Sequence, residues 1–221
     1  KHAVAFDLSA ACSGFLFALS TAQAYIKGGI YQKALIIGAE TMSKMIDWSD
    51  RSTCVLFGDG AGAAVVSAEE TGVLELVQKS DGTGKGVLSC KARETRNLLN
   101  HESETKEYLY MEGQPVFKFA VKTVPECVEE VLKKAEVKKE EIRYYILHQA
   151  NSRIIQSVAK RLKEPEEKFP MNLSLYGNTS AASIPILLDE MNRNGMLNRG
   201  DKLVLSGFGA GLTWGAVLLE W

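Results

Sequence analysis

Apolar and polar positions alternate along this chain with two periods, and the periods place its elements. Val4, Phe6 and Leu8 are separated by Ala5 and Asp7, the period-two pattern of a short strand. The small residues Ala10 to Gly14 follow. Phe15, Leu19, Ala22 and Ile26 then recur at helical spacing as far as Gly28-Gly29, where a helix stops. Lys33–Ala39 predicts a fully buried strand. Ser52–Phe57 and Ala61–Ser67 flank the glycine turn FGDGAG and predict a hairpin-like pair, and Gly72–Val77 predicts a further strand. The stretch Lys79–Thr105, which carries His101, is polar with few apolar anchors and reads as a surface excursion.

The second part is more regular. Phe117, Ala120, Val124, Val128 and Val131 predict a helix from Val116 to Glu136, which Pro125 would kink or split. Ile142–Leu147 predicts a buried strand ending at His148. Asn151 or Ser152 caps a helix running to Leu162, with Arg153, Lys160 and Arg161 on its charged flank. Met171–Leu175 predicts a strand, Tyr176-Gly177-Asn178 a turn and Thr179–Asn192 a helix. Lys202–Ser206 and Thr213–Trp221 are strands around the glycine loop GFGAG.

Two segments echo each other. FDLSAACSGFLFAL, from Phe6, and MNLSLYGNTSAASIPIL, from Met171, share a strand, a Leu-Ser pair, a small-residue turn and a helix. A buried strand, a glycine loop and a last apolar strand then follow in both. Leu8 corresponds to Leu173 and Leu35 to Leu203, offsets of 165 and 168, and the shared order makes duplication the better explanation. The echo divides the chain into residues 1–71 and 72–221. It further predicts a longer duplicated protein with roughly a hundred residues ahead of Lys1.

Composition narrows the class. Of 221 residues, 46% are apolar and 24% charged, with a formal net charge of -1, so the chain is globular and has no basic field to recruit nucleic acid. No apolar run is long enough to span a membrane. Cys12, Cys54, Cys90 and Cys127 are scattered without a CxxC pair or zinc spacing. This fits a reduced, cytoplasmic enzyme better than a disulfide scaffold, and no metal site is expected.

Three polar residues stand where a strand gives way to a helix: Cys12, His148 and Asn178. Cys12 lies beside a predicted helix N-terminus, where the helix dipole favours a thiolate. The local pattern reads equally well as a buried structural cysteine. A thiolate could take an acyl group from a thioester, while a neutral His and an Asn amide could together stabilise an enolate. A Cys-His-Asn hydrolase is the other arrangement of the same residue types. The loop Gly207–Gly211 could offer a backbone N–H to an oxyanion.

DLSAACSGF, ILHQANSRI, YGNTSAASIP and GFGAGLTWG, in this order, resemble the β-ketoacyl-acyl-carrier-protein synthase III family of the thiolase superfamily. The resemblance covers essentially the whole chain. It implies an α/β fold, a thiolase-like duplicated layered αβαβα arrangement with mixed five-stranded sheets, truncated here in the first half. It implies Cys12 as the acylated nucleophile and His148 with Asn178 as the pair that binds the malonyl thioester. Gly209 and Ala210 would form the oxyanion loop. Arg51, Gly113, Gln114 and Asn151 would bind CoA, and Arg153, Lys160 and Arg161 would dock the carrier protein. Gln114 replaces a more usual Asn, and Ala210 a more usual Gly. The implied partners are acyl-CoA as substrate and malonyl-acyl carrier protein, in a homodimer when complete, with no cofactor, no nucleic acid and no membrane. Asn178 in place of a second His argues against elongating synthases, and Ala210 in place of a second Cys against thiolases. A plant-type polyketide synthase, or an inactive fragment serving as a folded or carrier-binding module, are the alternatives.

Overall fold

In the computed structural model, residues 2–90 and 108–221 are described; His101 lies outside them. A 3-10 turn, Ala11–Ser13, runs into α1 (Gly14–Lys27), which ends at Gly28. β1 (Lys33–Glu40) and β2 (Gly60–Ser67) pair antiparallel over eight residues, from Lys33–Ser67 to Glu40–Gly60. β3 (Val73–Ser80) follows, then the short antiparallel pair β4 (Leu88–Cys90) and β5 (Leu109–Met111). The remaining elements are α2 (Gly113–Lys134), β6 (Ile142–Leu147), α3 (Ser152–Leu162), the single turn α4 (Leu173–Tyr176), α5 (Ser183–Arg193), β7 (Lys202–Gly209) and β8 (Thr213–Glu220).

The main sheet has the order β3-β8-β7-β6, parallel between β6 and β7 and antiparallel elsewhere. Strand side chains alternate between faces, so one strand feeds two cores. On β7, Val204 and Phe208 join Val124, Val128, Val131, Ile155 and Val158 of α2 and α3. Leu203 and Leu205 instead join Leu16, Leu19, Ile184 and Leu187 of α1 and α5. The β1–β2 pair lies beyond α1 and α5, giving the layer order helices, sheet, helices, sheet. Ile36 is buried against those helices, whereas Leu35, Ile37 and Val65 on the opposite face are 61%, 60% and 72% exposed, so nothing among the described residues covers that face. Among the described residues no helix is long and apolar enough to cross a membrane.

The duplication has a constant register in three dimensions. The 3-10 turns begin at Ala11 and Ser180, the helices at Gly14 and Ser183, and the following strands at Lys33 and Lys202, each pair 169 residues apart. The first residue of each 3-10 turn has a left-handed backbone, φ +46° at Ala11 and +51° at Ser180.

Several expectations are corrected. Residues 2–9 are not a strand: they have no ladder partner among the described residues, and Val4 and Phe6 are largely exposed. Residues 52–56 form turns, Phe57 makes only an isolated bridge to Asn178, and β2 takes β1 as its partner. The Asp47 carboxylate accepts the Ser49 N–H, and the Asp50 carboxylate the Ser52 N–H, both at 2.9 Å; these local bonds curl the segment out of an extended conformation. Met171–Leu175 is not a strand. The Asn172 N–H goes to Gln149 Oε1 (3.1 Å) rather than to a neighbouring strand, and α4 starts at Leu173. The two large sheets have two and four described strands, the smaller one in the first half of the chain. Pro125 sits inside an unbroken α2.

Candidate active site

Cys12 sits in the 3-10 turn that leads into α1, held from two sides. Ser13 Oγ donates to the Thr213 carbonyl (3.1 Å), and Thr213 Oγ1 faces the carbonyls of Ala10 and Ala210 (3.1 and 3.0 Å), tying the turn to the ends of β7 and β8. Gly209 is required by close approach: a methyl group there would lie 2.8 Å from Cys12 Cβ and 3.0 Å from Cys12 N. The Cys12 backbone is thus packed directly on the strand that carries the glycine loop.

The electrostatics correct one expectation. Burial pushes the Cys12 thiol up to about 11, and the Glu40 charge adds to this. A hydrogen bond from the Ser180 side chain pulls the other way but does not prevail. Position at a helix start alone favours a thiolate; desolvation outweighs it here, and the resting group is a thiol. Glu40, half-buried at the end of β1, is itself raised by desolvation.

His148 follows the last residue of β6, its N–H bonded to the Ser206 carbonyl of β7 at 2.8 Å. The side chain is fully enclosed, edge-on to Phe208 with ring centroids 5.4 Å apart. Burial lowers its pKa to about 4, so the imidazole is neutral at physiological pH. Nδ1 lies 2.7 Å from Ser183 Oγ. Asn178 Oδ1 accepts the Ser180 N–H at 2.9 Å, which leaves the amide NH2 as the unassigned donor end. Its backbone is anchored to the turn after Cys54: the Asn178 N–H donates to Leu56 O (2.8 Å), and the Asn178 carbonyl accepts from the Gly58 N–H (3.0 Å).

The other predicted residues lie around this centre or apart from it. Ala210 stands at the end of β7, half-buried, its carbonyl on Thr213. Arg51 is exposed on the turn segment, and Gly113 and Gln114 are exposed in the first turn of α2. Asn151 is the N-cap of α3, its Oδ1 accepting the Arg153 N–H at 2.8 Å, so part of its side chain is already used. Arg153 and Lys160 are exposed on α3. Arg161 is turned back onto α2, where it meets Glu126 and the Val121 carbonyl. Ser180, Ser183 and Glu40 were not singled out by the sequence reading. For the serines a signal was present, two of them three residues apart shortly after Asn178 at a predicted helix start; Glu40 left none.

Comparison with known proteins identifies the family. Sequence models described as 3-Oxoacyl-[acyl-carrier-protein (ACP)] synthase III match residues 6–82, and its C-terminal part residues 132–221. Beta-ketoacyl-[acyl-carrier-protein] synthase III of Clostridium novyi is 53% identical over 99% of this chain and 68% of its own length. The crystal structure of 3-oxoacyl-[acyl-carrier-protein] synthase III from Aquifex aeolicus superposes with a TM-score of 0.91 at 46% identity, over 100% of this chain and 68% of that one. The synthase III from Pseudomonas aeruginosa gives a TM-score of 0.92 at 41% identity, again over 100% and 68%. The fold is that of the thiolase-like condensing enzymes, which are acyltransferases. Within that class, the chain belongs to the 3-oxoacyl-[acyl-carrier-protein] synthase III family.

Proposed function

We propose that this chain catalyses decarboxylative Claisen condensation of a short acyl-CoA with malonyl-acyl carrier protein, the initiating step of fatty acid synthesis. The observation that carries the reading is that one segment ties the three groups together: the Ser180 side chain bonds Cys12, the Ser180 N–H bonds Asn178 Oδ1, and Ser183 Oγ lies 2.7 Å from His148 Nδ1.

In the first half-reaction, Cys12 Sγ bonds to the acyl carbon and the C–S bond to CoA breaks. The thiol proton ends on the departing CoA thiol, which suits a nucleophile that rests as S–H. The backbone at Gly209 and Ala210 supplies the oxyanion donor. In the second, His148 and the Asn178 amide donate to the malonyl thioester oxygen. CO2 leaves, and the electron pair it releases is held as the enolate until that carbon attacks the acyl-Cys12 carbonyl. Cys12 sulfur then departs and is reprotonated. A neutral, desolvated imidazole suits the donor role and holds less well the proton a hydrolytic general base must take up.

CoA would lie along Arg51, Gly113, Gln114 and Asn151, and the acidic carrier protein would dock on Arg153, Lys160 and Arg161. No cofactor or metal enters the steps above. We further read residues 1–71 and 72–221 as the two thiolase-like halves, a reading supported by the constant register of the repeat, and the assembled enzyme as a cytoplasmic homodimer. Incubation with acetyl-CoA and malonyl-acyl carrier protein should yield 3-oxoacyl-carrier protein, CO2 and free CoA. His148→Ala and Asn178→Ala should abolish CO2 release while leaving Cys12 open to acylation. Free acid in place of the condensed product would favour the hydrolytic arrangement instead.

A further inference from the structure

We infer that Ser183 is a positioning residue that holds His148 as the tautomer with its proton on Nε2, so that the ring presents a donor to the substrate thioester. The inference deepens the reading of His148 given above and rests on it. Ser183 is the first residue of α5, 2% exposed, with Oγ 2.7 Å from His148 Nδ1 and 3.2 Å from the Gln149 backbone nitrogen.

A serine hydroxyl has one proton and two lone pairs. The Gln149 N–H can only donate, so it occupies a lone pair of Oγ and leaves the hydroxyl proton to be placed. Among the described residues, His148 Nδ1 is the one acceptor this hydroxyl meets. If Nδ1 carried the proton, the hydroxyl would receive two donors, and its own proton would be buried without an acceptor, an arrangement folded proteins avoid. The hydroxyl therefore donates to Nδ1, and the neutral ring carries its proton on Nε2.

The surroundings keep this arrangement in place. Gln149 is locked by Nε2 donating to the Leu147 carbonyl (2.8 Å) and Oε1 accepting the Asn172 N–H (3.1 Å), which fixes the backbone N–H that faces Ser183. Phe208 bounds the ring on another side. Burial, which depresses the imidazole pKa, keeps a second proton off. The Asn178 amide is oriented three residues earlier in the same segment, by the N–H of Ser180. The stretch from Ser180 to Ser183 thus orients both donors, His148 through a serine hydroxyl and Asn178 through a serine backbone N–H.

The test is 15N NMR of the histidine-labelled full chain, together with kinetics of its variants. The sequence has three histidines, so a His148→Asn spectrum assigns the resonances. We expect unprotonated Nδ1 and protonated Nε2 in the wild type, and loss of this single tautomer in Ser183→Ala. We also expect the rate of CO2 release from malonyl-acyl carrier protein, divided by the rate of Cys12 acylation, to fall about 10- to 100-fold in Ser183→Ala. Ser183→Thr, which keeps the hydroxyl, should restore both. Acylation of Cys12 in the alanine variant reports that the fold is intact. A protonated Nδ1 in the wild type would overturn the inference, and so would a Ser183→Ala variant with unchanged tautomer and rate ratio. A wild type with the expected tautomer that releases no CO2 would contradict the condensing function instead, so the two failures are distinguishable.

Discussion

The guanidinium of Arg161 donates through Nη1 to the Val121 carbonyl at 3.2 Å, and Val121 is the residue four positions before Pro125. An α-helical N–H at position 125 would bond that carbonyl. Proline has no N–H, and a side chain from α3 takes its place. This explains how α2 runs unbroken through Pro125, and it gives Arg161 a structural duty on the face otherwise expected to meet a carrier protein.

The first prediction follows from that pair. Arg161→Ala should lower stability by about 1 kcal/mol through the orphaned carbonyl, with little from its exposed Glu126 contact, since surface ion pairs contribute little. In a Pro125→Ala background, where the helix supplies its own N–H, the same change should cost clearly less. Urea denaturation of the four proteins of the cycle checks it. Equal costs in both backgrounds would show that Arg161 does not serve Pro125.

Gly209→Ala should be severe. The added methyl meets Cys12 Cβ and backbone nitrogen at 2.8 and 3.0 Å, and neither is the free end of a flexible side chain. We expect a stability loss of about 1–3 kcal/mol from overpacking. On the proposed chemistry, Cys12 acylation should slow about 100-fold because its sulfur is displaced. Quenched-flow acylation with acetyl-CoA measures the second effect; wild-type rates would mean that Cys12 and β7 are not in such close contact.

Acid should weaken the fold through His148. Its folded pKa, about 4, lies below the ordinary value of 6.5, so protons bind the unfolded chain more readily. The stability this group contributes is fully present above pH 6.5 and is lost as pH falls toward 4, about 3 kcal/mol over that window. Thermal melts across the range should be steeper in pH for the wild type than for His148→Asn. Parallel profiles would contradict an imidazole buried in the neutral form.

Tyr145 offers a stability gain. Its ring stacks on Phe169 with centroids 4.8 Å apart, yet its buried hydroxyl has no hydrogen-bond partner among the described residues. Tyr145→Phe keeps the stack and removes the orphan, and should raise stability by about 1 kcal/mol, visible as a higher melting temperature. A lower melting temperature would point to a partner for that hydroxyl.

Much of the fold was legible because it is local. The apolar spacing from Val116 to Leu132 and from Ile154 to Leu162, the Asn151 cap and the Gly28 stop each depend on neighbours within a turn, and α2, α3 and α1 follow them. Strands were misread where pairing was decided elsewhere. Val4, Phe6 and Leu8 alternate correctly but have no ladder partner among the described residues, and the aspartates at 47 and 50 turn a β-like stretch through bonds to the serines two residues on. Of the residues proposed for the site, Cys12, His148 and Asn178 stand out in the sequence by their places at element junctions. Ser183 could not, because its meaning depends on a residue 35 positions away. Nor could the state of Cys12 be read, because burial by β7 and the segment after Asn178 reverses what the helix start alone suggests.

The most direct measurement is intact-protein mass spectrometry before and after incubation with a short acyl-CoA. We expect a gain of one acyl group, absent in Cys12→Ser and retained in His148→Ala and Asn178→Ala. Absence of any mass gain in the wild type, or a gain that persists in Cys12→Ser, would contradict Cys12 as the acyl-carrying nucleophile and with it the condensing chemistry assigned to this site.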